Sequence, residues 1–167
     1  EILKSKKIIG VTGPSCSGKT LFTFLSKNIF PYDFKTLSID DHVIGDSPYR
    51  EKDLQLKRNI SIYDYSVACN QYNWYNWHTV LQNIKSIKLS KESDKLFVDG
   101  SILGNPDILD FLDCIIFLHR EYINRLPSFI EKNNFPLIDA LKYFLISEYS
   151  TNLYYKHFLL DYKKDII

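Results

Sequence analysis

Gly13-Pro14-Ser15-Cys16-Ser17-Gly18-Lys19-Thr20 fits the pattern G-x-x-x-x-G-K-[ST] without a mismatch. Four fixed positions coincide by accident in on the order of one chain in a hundred of this length, so the flanks matter. Before the stretch, Lys7-Ile8-Ile9-Gly10-Val11-Thr12 is a short apolar run that predicts a buried strand. After it, Leu21 to Phe30 carries apolar residues at 21, 22, 25 and 29, which is helical spacing. Strand, glycine loop and helix, in that order, form the setting in which such a loop cradles phosphate.

The chemistry comes from the backbone. Gly13 and Gly18 allow conformations that a side chain would block, so successive N–H groups turn inward as an anion nest. A helix starting near Gly18 adds unpaired N–H groups and the positive end of its dipole. Pro14, Ser15, Cys16 and Ser17 complete a loop whose contacts come from backbone, so Cys16 reads as a tolerated side chain rather than a redox handle. Lys19 supplies a mobile cation for the outer phosphates, and the Thr20 hydroxyl is placed to ligate magnesium. The expectation is a chain that binds a nucleoside triphosphate. A glycine-rich turn that binds nothing would leave Gly18-Lys19-Thr20 at the helix start unexplained.

Length and composition bound the rest. A chain of 167 residues predicts one domain, spanning 1–167, that buries roughly two-thirds of its unfolded surface. Hydrophobic content of 45% and charged content of 25% are ordinary for a globular protein. A net charge of +1 gives no reason to expect nucleic acid or an anionic membrane as partner. No apolar run approaches a membrane span and no signal-peptide core opens the sequence. Cys16, Cys69 and Cys114 are an odd, scattered set without metal-ligand spacing, which suits a reducing, cytoplasmic setting. A sequence that begins at Glu1 and holds no methionine is compatible with missing or processed residues.

Outward from the loop, Thr36-Leu37-Ser38-Ile39-Asp40 predicts a second strand and Lys95-Leu96-Phe97-Val98-Asp99-Gly100 a third. Asp113 to Leu118 is a continuous apolar run typical of a strand covered on both faces, and Tyr162 to Ile167 reads as a fifth, edge strand. Helices are expected over Tyr75–Leu89, over Glu121–Lys132 with Pro127 kinking or ending it, and over Leu137–Leu160. The result is an α/β fold of the P-loop NTPase type, a three-layer sandwich with a five-stranded parallel sheet and helices on both faces. In such sheets ligands bind beyond the carboxyl ends of the strands. Asp40-Asp41 and Asp99 fall there beside the loop, which favours an enzyme over a passive binder. Phosphoryl transfer needs a magnesium ligand and a carboxylate that orients or deprotonates the attacking hydroxyl. Asp99 takes the slot of an acid at the tip of a buried strand; a turn cap is the competing reading for Asp40.

Lys7 to Thr20, Ser38-Ile39-Asp40-Asp41-His42, Tyr63-Asp64-Tyr65-Ser66-Val67-Ala68-Cys69-Asn70 and Phe97-Val98-Asp99-Gly100 together resemble the nucleoside kinases that comprise nicotinamide riboside kinases and uridine-cytidine kinases. The likeness runs from Lys7 to about Leu118. The riboside-kinase branch fits slightly better, because the Asp-His-Pro turn typical of the uridine branch is absent. The resemblance implies an ATP- and Mg2+-dependent kinase acting on the 5′-hydroxyl of a small-molecule ribonucleoside, with nicotinamide riboside as leading acceptor. It implies Asp40 as base, with Lys19 acting on the transferring group, and Asp99 beside Thr20 on the magnesium. It further implies Asp64 on the ribose hydroxyls and Tyr63 against the base. The family's lid after strand four is arginine-rich; here, over about 119–135, only Arg120 and Arg125 are present to clamp phosphates. A uridine-cytidine or other small-metabolite kinase stays open as an alternative, as does a P-loop protein that binds nucleotide without transfer.

Overall fold

The computed structural model describes residues 3, 5–42, 75–90, 95–101, 103, 106–133 and 136–154. Four strands, β1 (Ile8–Thr12), β2 (Phe34–Ser38), β3 (Lys95–Gly100) and β4 (Cys114–Phe117), form a parallel sheet in the order β2-β3-β1-β4. The fifth strand expected at 162–167 lies outside the described residues, so the described sheet has four strands rather than five.

Side chains alternate between two cores, as the period of a strand requires. Ile8, Leu96, Val98 and Ile115 face one side. There Val80 and Ile84 of α2 (Trp77–Ser90) and Ile108 of the short α3 (Pro106–Leu109) cover them. Ile9, Val11, Phe97, Cys114 and Ile116 face the other side, which α1 (Lys19–Ile29) covers through Phe22. Phe22 meets Phe97 edge-on, with ring centroids 6.0 Å apart. The small buried Thr23 and Ser26 let this helix lie close to the sheet. The helical spacing read from the sequence therefore holds, but most of its apolar members point outward: Leu21, Leu25 and Ile29 are exposed.

Two more expectations are corrected. β2 ends at Ser38, and Asp40 sits in a 3-10 turn over Ile39–His42 instead of at the strand's tip. Pro127, expected to kink or end its helix, does not end it: the helix runs as α4 over Tyr122–Asn133. A proline there removes one intrahelical bond, and packing holds the helix through it: Phe129 meets Phe144 of α5 (Leu137–Tyr154) at 5.1 Å between ring centroids. The remainder of the helix expected to reach Leu160 lies outside the described residues. No described helix is long and apolar enough to cross a membrane.

The register brings the strand ends level. Thr12 stands opposite Gly100 on one side and Phe117 on the other, and Ser38 stands opposite Asp99. The loop and turn that leave β1 and β2 therefore gather with the end of β3 at one edge of the sheet.

Candidate active site

The loop leaves the central strand β1 and closes on itself before α1. Gly13 has φ of 154°, and a Cβ there would collide with the Leu118 carbonyl oxygen, so only glycine lets the loop pass over the end of β4. The Ser17 N–H bonds the Pro14 carbonyl at 3.1 Å. Cys16 adopts φ of 61°, a left-handed conformation that costs an ordinary residue about 1 kcal/mol or more. Gly18, at φ 98°, is the N-cap of α1, and no side chain caps that helix end. Its leading N–H groups are the donors a bound anion would use.

Lys19 is 9% exposed, and its ammonium donates to the carbonyls of Gly13 (2.9 Å) and Pro14 (3.0 Å). Burial pushes its pKa below the ordinary lysine value, while the carboxylates of Asp40 and Asp99 work against that shift. Asp99 is 5% exposed at the end of β3. Burial holds its pKa above the ordinary carboxylate value; a hydrogen bond from the Ser38 side chain, its register partner, opposes this, and the charge of Asp40 adds to it. Asp99 Oδ1 is buried without a hydrogen-bond partner. An orphaned carboxylate oxygen is costly, and a cation is the kind of partner that satisfies it.

Lys19, Thr20, Asp40 and Asp99 line one cavity of about 300 Å³ together with Ser15, Cys16 and Gly18 of the loop and Ser101 beyond β3. Ser128 and Lys132 of α4 close its far side. Among the described residues no three His, Cys, Asp or Glu side chains cluster as an all-protein metal cage. The donors present, one buried carboxylate and one hydroxyl beside a phosphate cradle, fit magnesium, which typically takes few protein ligands and completes its shell with phosphates and water.

The two lid arginines stand differently. Arg120 is exposed and its Nη1 reaches the Cys16 carbonyl at 3.5 Å. Arg125 is 3% exposed, with both Nη atoms on the Glu148 carboxylate of α5. Its Nη1 also reaches the Ser15 carbonyl at 3.1 Å, its Nε the Arg120 carbonyl at 2.6 Å, and its guanidinium lies over the Phe144 ring. It ties the loop to α4 and α5. Arg125 and Glu148 face a second cavity of about 410 Å³ beside Pro14, walled by Phe117, His119 and Tyr122. Tyr63 and Asp64 lie outside the described residues.

Sequence reasoning missed Lys132 and Ser128. Their four-residue separation on a helix was the available signal, since it places both on one face. It also missed the hydroxyl of Tyr75, which donates to Asp40 Oδ1 at 3.1 Å.

A glycine loop between an interior strand of a parallel sheet and the helix that follows, facing Asp99 at the end of β3 and Asp40 in the turn after β2, is the arrangement of a P-loop α/β fold. The chain is similar in structure to a possible uridine kinase from Bacillus stearothermophilus, at TM-score 0.62 and 14% identity, covering 96% of this chain and 87% of that one. It is also similar to a protein from Silicibacter sp. TM1040 provisionally named a fructose transport system kinase, at TM-score 0.58 and 9% identity, covering 98% and 89%. At such identity the likeness is one of fold alone. No protein-family model and no curated protein matches the chain.

Proposed function

We propose that this chain is an ATP-dependent kinase that phosphorylates a hydroxyl of a small nucleoside-like metabolite, with nicotinamide riboside as the first acceptor to test. The observation that carries the reading is the meeting of Lys19, Asp40 and Asp99 in one cavity at the N-terminus of α1. A passive binder needs the loop and the lysine. It does not need two acids opposite them, one buried with an orphaned oxygen.

In this reading the loop N–H groups, Lys19 and Arg120 hold the phosphates of ATP, and Lys132 adds charge from the lid. Asp40 accepts the proton of the acceptor hydroxyl. The hydroxyl oxygen forms a bond to the γ-phosphorus as the bond from that phosphorus to the ADP oxygen breaks, and Lys19 meets the charge that develops on the equatorial oxygens. Thr20 and Asp99 would hold magnesium, which when bound neutralises phosphate charge. The second cavity borders the same loop through Pro14, and its aromatic walls suit the donor's base. Asp64 and Tyr63 are the acceptor contacts implied by the resemblance.

One observation favours a second reading, nucleotide binding without transfer: Arg125 spends its guanidinium on Glu148 and backbone carbonyls, leaving the lid few cations. The two readings separate in one assay. The chain is mixed with ATP, magnesium and, in turn, nicotinamide riboside, uridine and cytidine, and phosphorylated nucleoside is measured. Transfer to one of them supports the kinase. Tight ATP binding with no transfer to any supports the binding protein.

A further inference from the structure

Asp40 stands on a four-residue 3-10 turn and is exposed, a weak platform for a group that must be aimed. Two kinds of contact fix it. From below, Ile39 is fully buried against Gly100, where a Cβ would collide with Ile39 Cγ1, so the turn sits directly on the end of β3. From the side, the residues leading into α2 and Asn83 within it hold the turn by backbone and side chain. The Asn76 N–H donates to the His42 carbonyl at 2.8 Å, and the Asn83 amide lies 3.4 Å from the His42 ring nitrogen Nε2. The phenol of Tyr75 donates to Asp40 Oδ1 at 3.1 Å.

Tyr75 suits that task. It is 8% exposed, its ring belongs to the core beneath the turn, and it lies against Trp77 with centroids 5.3 Å apart. A tyrosine has two side-chain torsions, and with the ring packed its hydroxyl arrives at a fixed place.

We propose that Tyr75 is the positioning residue for Asp40: it occupies Oδ1 and thereby reserves Oδ2 for the acceptor's proton. The proposal rests on the kinase reading above. During transfer Tyr75 keeps its own proton. The acceptor's proton passes to Asp40 Oδ2, the acceptor oxygen bonds the γ-phosphorus, and the bond from that phosphorus to ADP breaks. Without the phenol the carboxylate turns about its terminal torsion, and only a fraction of orientations is productive.

The test compares wild type, Tyr75→Phe, Asp40→Asn and the double variant. Phenylalanine keeps the buried ring and removes only the hydroxyl. Tyr75→Phe is expected to lower kcat by about tenfold, the scale of a modest misalignment, with the KM for ATP unchanged and the melting temperature within about 2 °C of wild type. In the Asp40→Asn background it is expected to lower kcat no further. An unchanged kcat in Tyr75→Phe, or an equal fall in both backgrounds, overturns the proposal. If wild type transfers no phosphate, the kinase reading fails on its own account. The contact is then judged by the carboxyl 13C resonance of Asp40, which is expected to move on Tyr75→Phe and, if unmoved, overturns the positioning role.

Discussion

The two walls of the cavity that Lys19 lines are built by different means. One consists of strand ends and their extensions: the loop after β1, the turn after β2 and Asp99 at the end of β3. Parallel register levels those ends, so the loop and Asp99 are placed by hydrogen bonds of the sheet, and Asp40 by the contacts of its turn with Gly100 and Tyr75. The other wall is the face of a helix. Which residues of α4 meet the cavity depends on how the helix is rotated, and packing on α5 sets that rotation through Phe129 and Arg125. Apart from Asp40, the first wall is fixed by backbone; the second is fixed by side chains. Charge on the first should therefore govern chemistry, and charge on the second should divide between chemistry and stability.

Removing the cation on the strand-end wall should have the largest effect. Lys19→Ala is expected to lower turnover by about a thousandfold or more, the scale at which transition-state phosphate ligands act. A fall of less than about tenfold in steady-state kinetics would place the governing charge elsewhere.

Arg125→Ala should instead act on stability. It leaves the half-buried Glu148 without its partner, and breaking such a pair costs about 3 kcal/mol. In a chain of this size that is a fall in Tm of about 6–12 °C by calorimetry. Lys132→Ala should show the converse, with turnover lowered about tenfold and the melting temperature essentially unchanged. If both lid variants lose stability alike, the division within the helical wall is wrong.

Asp99→Asn gives a smaller stability effect than Arg125→Ala, with the opposite sign. Burial raises the folded pKa of Asp99, so the folded chain holds that proton more tightly than the unfolded chain does. This group's contribution to stability is then present at low pH and is lost as pH rises from about 4 through the raised folded value. Without nucleotide or metal, Asp99→Asn should remove that pH dependence. It should also raise Tm at neutral pH, while transfer is lost. Melting curves from pH 4 to 8 check it, and a lower Tm at every pH would contradict it.

The same contrast explains what the sequence made legible. Gly13 to Thr20 is a local pattern, and Asp99 ends a strand that the apolar run Leu96-Phe97-Val98 announces, so the strand-end wall could be read from neighbours along the chain. Asp40 was legible as a residue, but its platform was not: Ile39 turns down onto Gly100, ending β2 early, and that contact joins residues 61 positions apart. Over 119–135, the sequence did not show which of Arg120 and Arg125 would be held elsewhere. Arg125 is committed to Glu148, 23 positions on, and Lys132 takes the cavity-facing place. Likewise the apolar spacing of α1 marked a helix without saying that Phe22, Thr23 and Ser26 would be its inner face. Contacts between distant positions leave no local trace.

The central claim is that Asp40 serves transfer and not nucleotide binding. It is tested most directly by measuring Mg-ATP affinity by calorimetry and turnover with the best nucleoside acceptor in wild type and Asp40→Asn. The account expects equal affinity with turnover lowered by about a hundredfold or more. Near-equal turnover, or loss of nucleotide affinity in proportion to turnover, would contradict it.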